Sequence, residues 1–568
     1  MRMLKRIVIG LCIVLVLVSC TPKPVELATK TPSESQTETQ ETSTTTEIPE
    51  ATQVSAPDQA GWWTDAVFYE IFVRSFYDSD GDGVGDFQGI IEKLDYLNDG
   101  DPNTNGDLGI TAIWLMPINP SPSYHGYDIT NYFAVNPEYG TMTDFKQLLE
   151  EAHKRGIHVI MDFVINHTSS QNPWFVQAQD KTSGFHDWYV WSPEKPNVAG
   201  PWGQNAWYQA GNGLFYYAIF WSGMPDLNFK NAQVNQTIFN ISRFWLDNVG
   251  VDGFRVDAAR YLHGEFDLQQ DTEDTLTWFR TWRQVVKDTN PEAFTVGEVW
   301  TDVKTQSRYG GGTGLDSLFM FDLSDAILGN VFAPVPLGIM GAYEDAIYYF
   351  PDGQFSTFLT NHDTQRVMSF FGGNVTKAKV AAFIYLTGPG IPFVYYGEEI
   401  GMVGSKPDEY IRTPMQWSAN EHGGFSTTAS WEALNDNYED SNVADQDGDP
   451  DSILNLYREV IALRNAHSAL RTGAYLPLQS DCRQLYPVLR VGDDEILVTL
   501  VNVGRLSMED CTLSLGSSSL SGEYSLQSIW GEAFSSTITF DANGAVSGFV
   551  LPIALEAGQM VVAELIKK

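Results

Sequence analysis

The chain has 568 residues with Lys+Arg 34 against Asp+Glu 72, a formal net charge of -38 that excludes a protein built to neutralise nucleic-acid phosphates. Hydrophobic residues at 43% and charged residues at 19% exclude bulk disorder and supply apolar surface for more than one core.

At the amino end Arg2, Lys5 and Arg6 precede an apolar run from Ile7 to Val18, shorter than the roughly 20 residues a spanning helix needs. It reads as a secretion signal over 1–19. The run ends in Leu17-Val18-Ser19-Cys20, which resembles the bacterial lipobox, where cleavage precedes a Cys that is then lipidated. The expected location is therefore outside the cytoplasm, as a cell-envelope lipoprotein held at a bacterial membrane through Cys20 alone. Residues 20–60 are dominated by Thr, Ser, Glu, Pro and Gln, and from Thr21 to Ala60 there is no aromatic residue and no Gly, so this segment is expected to be a spacer.

Eight short β-branched and aromatic runs follow: Val67 to Val73, Ile110 to Leu115, Ile157 to Val164, Val251 to Val256, Phe294 to Glu298, Ser317 to Phe321, Phe355 to Thr360 and Ile391 to Tyr396. Amphipathic helical stretches such as Thr143 to Arg155, Asn235 to Asn248 and Asp274 to Asp288 separate them. This alternation predicts an α/β fold, a (β/α)8 TIM barrel over 61–166 and 222–470, with an open doubly wound sheet as the alternative. The third and fourth runs start at Ile157 and Val251, twice the spacing of the second and third, which predicts a small domain inserted after strand three, over 167–221. From 471 to 568 alternating runs such as Glu495 to Val501 predict a C-terminal all-β sandwich. Cys482 and Cys511 fall in that segment, either paired or as two buried thiols.

A barrel enzyme keeps its chemistry where strands end, and three acids stand at such ends. In Val251-Asp252-Gly253-Phe254-Arg255-Val256-Asp257, period-two alternation puts Arg255 and Asp257 on one face, and Arg beside Asp keeps the carboxylate ionised, as a nucleophile needs. Glu298, beside Val299-Trp300, ends an apolar strand in a setting that raises a carboxyl pKa and lets it donate a proton. Asp363 follows Asn361-His362 at the end of strand seven. One ionised and one protonated carboxyl make the pair a glycosidase requires.

Asp162-Phe163-Val164-Ile165-Asn166-His167, Gly253 to Arg260, Gly297-Glu298-Val299-Trp300 and Asn361-His362-Asp363 resemble, in order, the four conserved regions of the α-amylase family of glycoside hydrolases. The resemblance extends over about 61–568 and implies the barrel, inserted lobe and C-terminal β domain reached above by spacing. It implies Asp257 as nucleophile, Glu298 as general acid/base and Asp363 as the carboxylate that hydrogen-bonds the sugar at the cleavage point. It places His167, Arg255 and His362 around the same sugar. Tyr124-His125-Gly126-Tyr127 is similar to the family segment in which Tyr127 stacks under that sugar and His125 bonds it. Arg260-Tyr261 departs from the Lys-His pair many α-amylases carry there, on the leaving-group side.

Asp78-Ser79-Asp80-Gly81-Asp82-Gly83-Val84-Gly85-Asp86 spaces oxygen donors as an EF-hand loop does, with Asp78, Asp80, Asp82 and Asp86 offering carboxylates and Val84 its carbonyl. Gly89 stands where the twelfth-position Glu would be, so it is no EF-hand, yet the loop is expected to hold calcium. By resemblance, Asn166 and Asp226 are candidates for a second ion. Met224-Pro225-Asp226-Leu227-Asn228 mixes oligo-1,6-glucosidase and neopullulanase wording, a mixture that in the family accompanies chiefly α-amylases, while Arg412 to Trp417 echoes the oligoglucosidases. The expected activity is retaining, endo-acting hydrolysis of α-1,4-glucosidic bonds in starch, glycogen and maltooligosaccharides. The alternatives are an α-glucosidase or oligo-1,6-glucosidase, a neopullulanase-like transglycosylase, and a lipid-tethered glucan-binding protein without catalysis. The α-glucan is the expected partner; no nucleic acid is expected.

Overall fold

A computed structural model describes residues 61–264, 268–351 and 353–568. The signal segment, Cys20 and the spacer of the sequence reading lie outside them. Eight strands run in parallel: β1 (Phe68–Ile71), β2 (Ala112–Leu115), β3 (His158–Phe163), β4 (Gly253–Val256), β5 (Phe294–Gly297), β6 (Ser317–Leu318), β7 (Ser356–Thr357) and β8 (Ile391–Tyr395). β8 pairs with β1 and a single bridge between Phe319 and Ser356 joins β6 to β7, so the sheet closes on itself. Each of the eight expected runs contains one of these strands.

The barrel is filled by alternate residues. Phe68, Ala112, Trp114, Ile160, Phe294, Val296, Phe319 and Phe393 form the inner core, with Phe68 and Phe393 stacked at 4.2 Å. Their neighbours Tyr69, Ile71, Ile113, Val159, Met161, Phe254 and Val256 belong to the outer core beneath the helices. One step of period two toward the strand ends replaces the inner apolar layer by charge, because Glu70 follows Phe68, Asp162 follows Ile160 and Glu298 follows Val296. Gly253 permits the tight pairing of β4 with β5, since a Cβ there would meet the Phe294 carbonyl at 1.9 Å.

Helices cover the outside. Met142–Lys154 starts on a capping box in which Thr141 and Asp144 exchange side-chain and backbone hydrogen bonds, and it buries Phe145, Leu148, Leu149 and Ala152. The stretch expected as one helix over 235–248 is an α-helix, Ala232–Arg243, that widens into a π-turn over Phe244–Val249, buries Trp245 and ends on left-handed Gly250.

Between β3 and β4 the chain forms a short helix, Pro173–Ala178, and a three-stranded antiparallel sheet of Trp191–Ser192, Phe215–Tyr217 and Trp207–Gln209. Past the barrel a six-stranded antiparallel sheet and a three-stranded one enclose Leu489, Val498, Leu513, Leu526, Val546 and Leu565 as a separate core. Cys482 and Cys511 are joined as a disulfide there, which resolves the alternative of two free thiols. Arg490 of this β domain donates to the Thr387 carbonyl at 2.6 Å, before β8, and so ties the sandwich to the barrel.

Candidate active site

The strand ends of the barrel open into a cavity of about 680 Å³ whose lining includes His125, Tyr127, His167, Asp257, Glu298, Asp363, Asp408 and Arg412. Trp202, Phe220, Trp221, Met224, Arg260, Tyr261, Gln270 and Trp300 line it too. Six of the sequence-predicted residues therefore share one cavity. Arg255 and His362 are absent from its walls. Both are almost fully buried and stand one layer behind, each holding residues that do line it.

Arg255 is the hub. Its Nη1 donates to Asp257 Oδ1 and Asp162 Oδ1, each at 2.8 Å, and its Nη2 donates to Glu298 Oε2 at 2.7 Å. One planar guanidinium thus tethers both acids of the presumptive pair. Ala258, with φ 51, turns the chain immediately after Asp257 and aims its N–H at Glu298 Oε2, 3.3 Å away. Burial pushes Asp257 up to about 6 and Glu298 up to about 7, with Arg255 opposing both shifts. Asp257 therefore sits above the ordinary carboxylate range, and the Arg255 charge expected to keep it ionised offsets burial only in part. Trp300 is half exposed at the rim, stacked on Phe321 at 4.4 Å, so the desolvation of Glu298 comes from the enclosing cavity as a whole.

Asp363 experiences the opposite balance. Burial would raise its pKa, but His362 Nε2 at 3.1 Å and Arg412 Nη2 at 2.8 Å hold it well below the carboxylate range. Tyr127 is buried beside this group and its hydroxyl lies 3.0 Å from Asp162 Oδ2 and 2.6 Å from His362 Nε2. His125 Nδ1 accepts from the Tyr127 N–H at 3.1 Å. His167 donates from Nε2 to the Tyr127 carbonyl at 3.1 Å, and burial lowers its pKa to about 4, so it is a neutral donor.

Across the cavity Trp202, Phe220 and Tyr261 touch pairwise, with ring centroids 5.7 to 5.8 Å apart. Arg260 pairs with Asp271 and donates to the Trp300 carbonyl, both at 2.5 Å, which fixes the segment that departs from Lys-His.

A family model for the α-amylase catalytic domain matches residues 70–473. The chain belongs to the α-amylase family. It is a glycoside hydrolase of that family, and the family acts on α-glucans. It is 42% identical over 452 residues to α-amylase 3 of Dictyoglomus thermophilum, covering 78% of this chain and 86% of the relative. It is 32% identical over 519 residues to an oligo-1,6-glucosidase of Parageobacillus thermoglucosidasius, covering 78% and 90%. Among solved structures, the α-amylase of H. orenii matches with a TM-score of 0.76 at 39% identity, over 88% of this chain and all but 1% of that one, 99% being covered.

Family members often bind calcium, and the loop after β1 carries an acidic cluster: Asp78, Asp80 and Asp86 each bring one carboxylate oxygen within 4.8 Å of the others. Asp82 is not one of these three; its exposed carboxylate accepts from the Val84 N–H at 2.8 Å. Asp78 also accepts from the Gly81 and Gly83 N–H groups and from Ser426, so the loop is folded around its own acids. The donors are all hard oxygens, a set that suits calcium. At the second candidate position Asn166 Nδ2 donates to Asp226 Oδ2 at 3.1 Å, and burial raises Asp226 to about 7.

Sequence reasoning missed the supporting layer. Asp162 opens the motif that ends in His167 and Arg412 lies in the segment resembling the oligoglucosidases, yet neither announces its role there, and Glu70 is signalled only by its period-two offset from Phe68. The aromatic trio gave no usable signal, since Trp202 and Phe220 come from the irregular insertion and Tyr261 from a loop beyond β4.

Proposed function

We propose that this chain is a retaining, endo-acting α-amylase that hydrolyses internal α-1,4-glucosidic bonds of starch-like glucans and maltooligosaccharides. The observation that carries it is the Arg255 fork, which tethers Asp257 and Glu298 together in an open cavity where burial raises the Glu298 carboxyl toward the range of a proton donor. In this reading Asp257 attacks the anomeric carbon while Glu298 protonates the departing glycosidic oxygen. Glu298, now anionic, then deprotonates the water that breaks the glycosyl ester with retention. Asp363, kept ionised by His362 and Arg412, grips the sugar hydroxyls as positive charge develops on the ring.

Endo action on α-1,4 bonds is favoured by the similarity to the Dictyoglomus and H. orenii α-amylases. A second reading, an exo-acting α-glucosidase, draws support from the relatives named oligo-1,6-glucosidases and from Arg412, a cavity-lining residue that bridges Asp363 and Asp408 in a segment resembling the oligoglucosidases. Product analysis on soluble starch separates them. Mixed maltooligosaccharides with an early fall in viscosity support the endo reading, and glucose released alone overturns it.

Calcium belongs to the same proposal: Asp78, Asp80 and Asp86 would hold it and its charge would neutralise the clustered carboxylates, stiffening the loop after β1. A rise in melting temperature on adding calcium to chelator-treated protein, abolished by Asp80→Ala, is expected. We also place the protein at the outer side of a bacterial membrane through lipid on Cys20, a reading that rests on the lipobox-like sequence. Metabolic labelling with a fatty acid should mark the parent and leave Cys20→Ser unlabelled.

A further inference from the structure

Behind Asp363 lies a buried carboxylate that the reaction as written does not use. Glu70, on β1, is 2% exposed and absent from the cavity walls. Its Oε1 lies 2.6 Å from His362 Nδ1. We propose that Glu70 is a positioning residue for glycosidic cleavage: it holds His362 as an imidazolium and, through it, fixes the charge and orientation of Asp363. The proposal deepens the reading above and rests on it for the role of Asp363.

Hydrogen-bond accounting carries it. A neutral imidazole has one N–H and one lone pair, whereas an ionised carboxylate only accepts. Nδ1 of His362 is hydrogen-bonded to Glu70 Oε1 at 2.6 Å, and Nε2 lies at ion-pair distance, 3.1 Å, from Asp363 Oδ2. A lone pair on either nitrogen would face carboxylate charge, so both carry hydrogen. The Tyr127 hydroxyl, 2.6 Å from Nε2, fits as a further acceptor because its own proton is directed at Asp162 Oδ2. His362 is fully buried, which by itself disfavours the cation, yet Asp363 and Glu70 together hold it up at about 9.

The other charges around the ring show why Glu70 matters. Asp162 on β3 and the pair Asp257 and Glu298 also feel the His362 charge, so they favour the cation from a distance. Arg255 on β4 holds these three carboxylates and offsets them. Arg412 donates from Nε to the His362 carbonyl and from Nη2 to Asp363, placing a second cation nearby. Glu70 is the carboxylate on the Nδ1 side. Without its charge, burial and the two guanidiniums push the His362 proton off, and Asp363 loses one of its two cationic partners. Glu70→Gln isolates this effect, since the amide oxygen still accepts from Nδ1 while the charge is gone.

The test is a pH titration by NMR of protein labelled with 15N at histidine, which gives nine side chains to assign, that of His362 from its loss in His362→Asn. In the parent His362 should stay doubly protonated to about pH 8, and in Glu70→Gln its titration should fall by about three units, to about 6. Identical titrations overturn the proposal, as does a neutral His362 at pH 7 in the parent, which decides the matter even if the variant fails to fold. In hydrolysis, Glu70→Gln should lose about tenfold in kcat at pH 7 relative to the parent, with KM little changed, and the loss should shrink to about twofold at pH 5.5, where the imidazole regains its proton. Glu70→Asp, which keeps the charge, should restore most of the neutral-pH rate. A loss that is the same at every pH marks a merely structural role and overturns the proposal. The titration uses no substrate, so a parent that fails to cleave α-glucans would sink the functional reading and leave the charge relay to be judged by NMR alone.

Discussion

Glu298 lies 2.7 Å from Arg255, a permanent cation, yet its carboxyl is pushed up to about 7. Burial outweighs the ion pair, whose guanidinium is shared with Asp162 and Asp257, and the charges of Asp257 and Asp363 raise Glu298 further. Asp257 is pushed up to about 6 by the same burial. The reaction needs Asp257 ionised and Glu298 protonated, so kcat/KM should rise as pH passes about 6 and fall as it passes about 7. A narrow bell in kcat/KM against pH is the expected profile; a plateau extending well above neutral would assign the acid elsewhere.

Glu298→Gln removes the proton donor and keeps the shape. On starch the loss of kcat should be about 10²- to 10⁴-fold. On a glycosyl fluoride, whose leaving group needs no proton, the first step should stay close to the parental rate. Asp257→Asn should lose turnover on both substrates and still bind maltooligosaccharide by calorimetry. An Asp257→Asn enzyme with parental turnover would refute its assignment as nucleophile.

Arg255 also carries stability. Arg255→Met leaves Asp162, Asp257 and Glu298 without their shared cation in a buried setting, a loss expected to cost about 3–5 kcal/mol at neutral pH. Those carboxyls would then have raised folded pKa values, so the variant's deficit should shrink as pH falls and they take up protons. Thermal unfolding of parent and variant between acid and neutral pH measures it, and a deficit independent of pH would show that the charges were not its source.

Much of this site was legible because a barrel strand writes its inner face at every second residue. Arg255 with Asp257, and Glu298 after Val296, follow directly from that parity, and the eight apolar runs announced the strands that carry them. What stayed hidden is what the chain joins across long separations. Arg412 meets Asp363 across 49 residues and His362 meets Glu70 across 292, and no local period encodes either contact. In the loop after β1, spacing leaves open how each acid turns, which the loop's own hydrogen bonds set, as where Asp82 accepts from the Val84 N–H at 2.8 Å.

A different buried acid makes the barrel sensitive to alkali. Glu398 is 5% exposed and accepts from Tyr457 at 2.7 Å and Tyr385 at 3.1 Å, while burial raises it from 4.5 to about 8. The folded state therefore keeps a proton that the unfolded chain releases above pH 4.5, and the stability this provides is lost as pH rises from about 4.5 to about 8. Glu398→Gln is neutral at every pH, and its oxygen can still accept from both tyrosines. The variant should match the parent near pH 4.5 and exceed it by about 4 kcal/mol near pH 8. Calorimetric melting temperatures at the two pH values check it, and an equal shift at both would mean that packing, not the proton, separates the two proteins.

The C-terminal sandwich offers a test that leaves the barrel chemistry untouched. The Cys482–Cys511 bridge closes a loop with a sequence separation of 29 in a core of mostly aliphatic side chains. Replacing both cysteines by serine should destabilise that domain by about 2–4 kcal/mol, chiefly by freeing the loop in the unfolded chain. Because Arg490 ties the sandwich to the Thr387 carbonyl beside β8, loss of the domain's order should also lower the melting temperature of the barrel. Starch hydrolysis at low temperature should be unchanged. A variant that loses rate there as well would show that the sandwich reaches the cavity by some route other than stability.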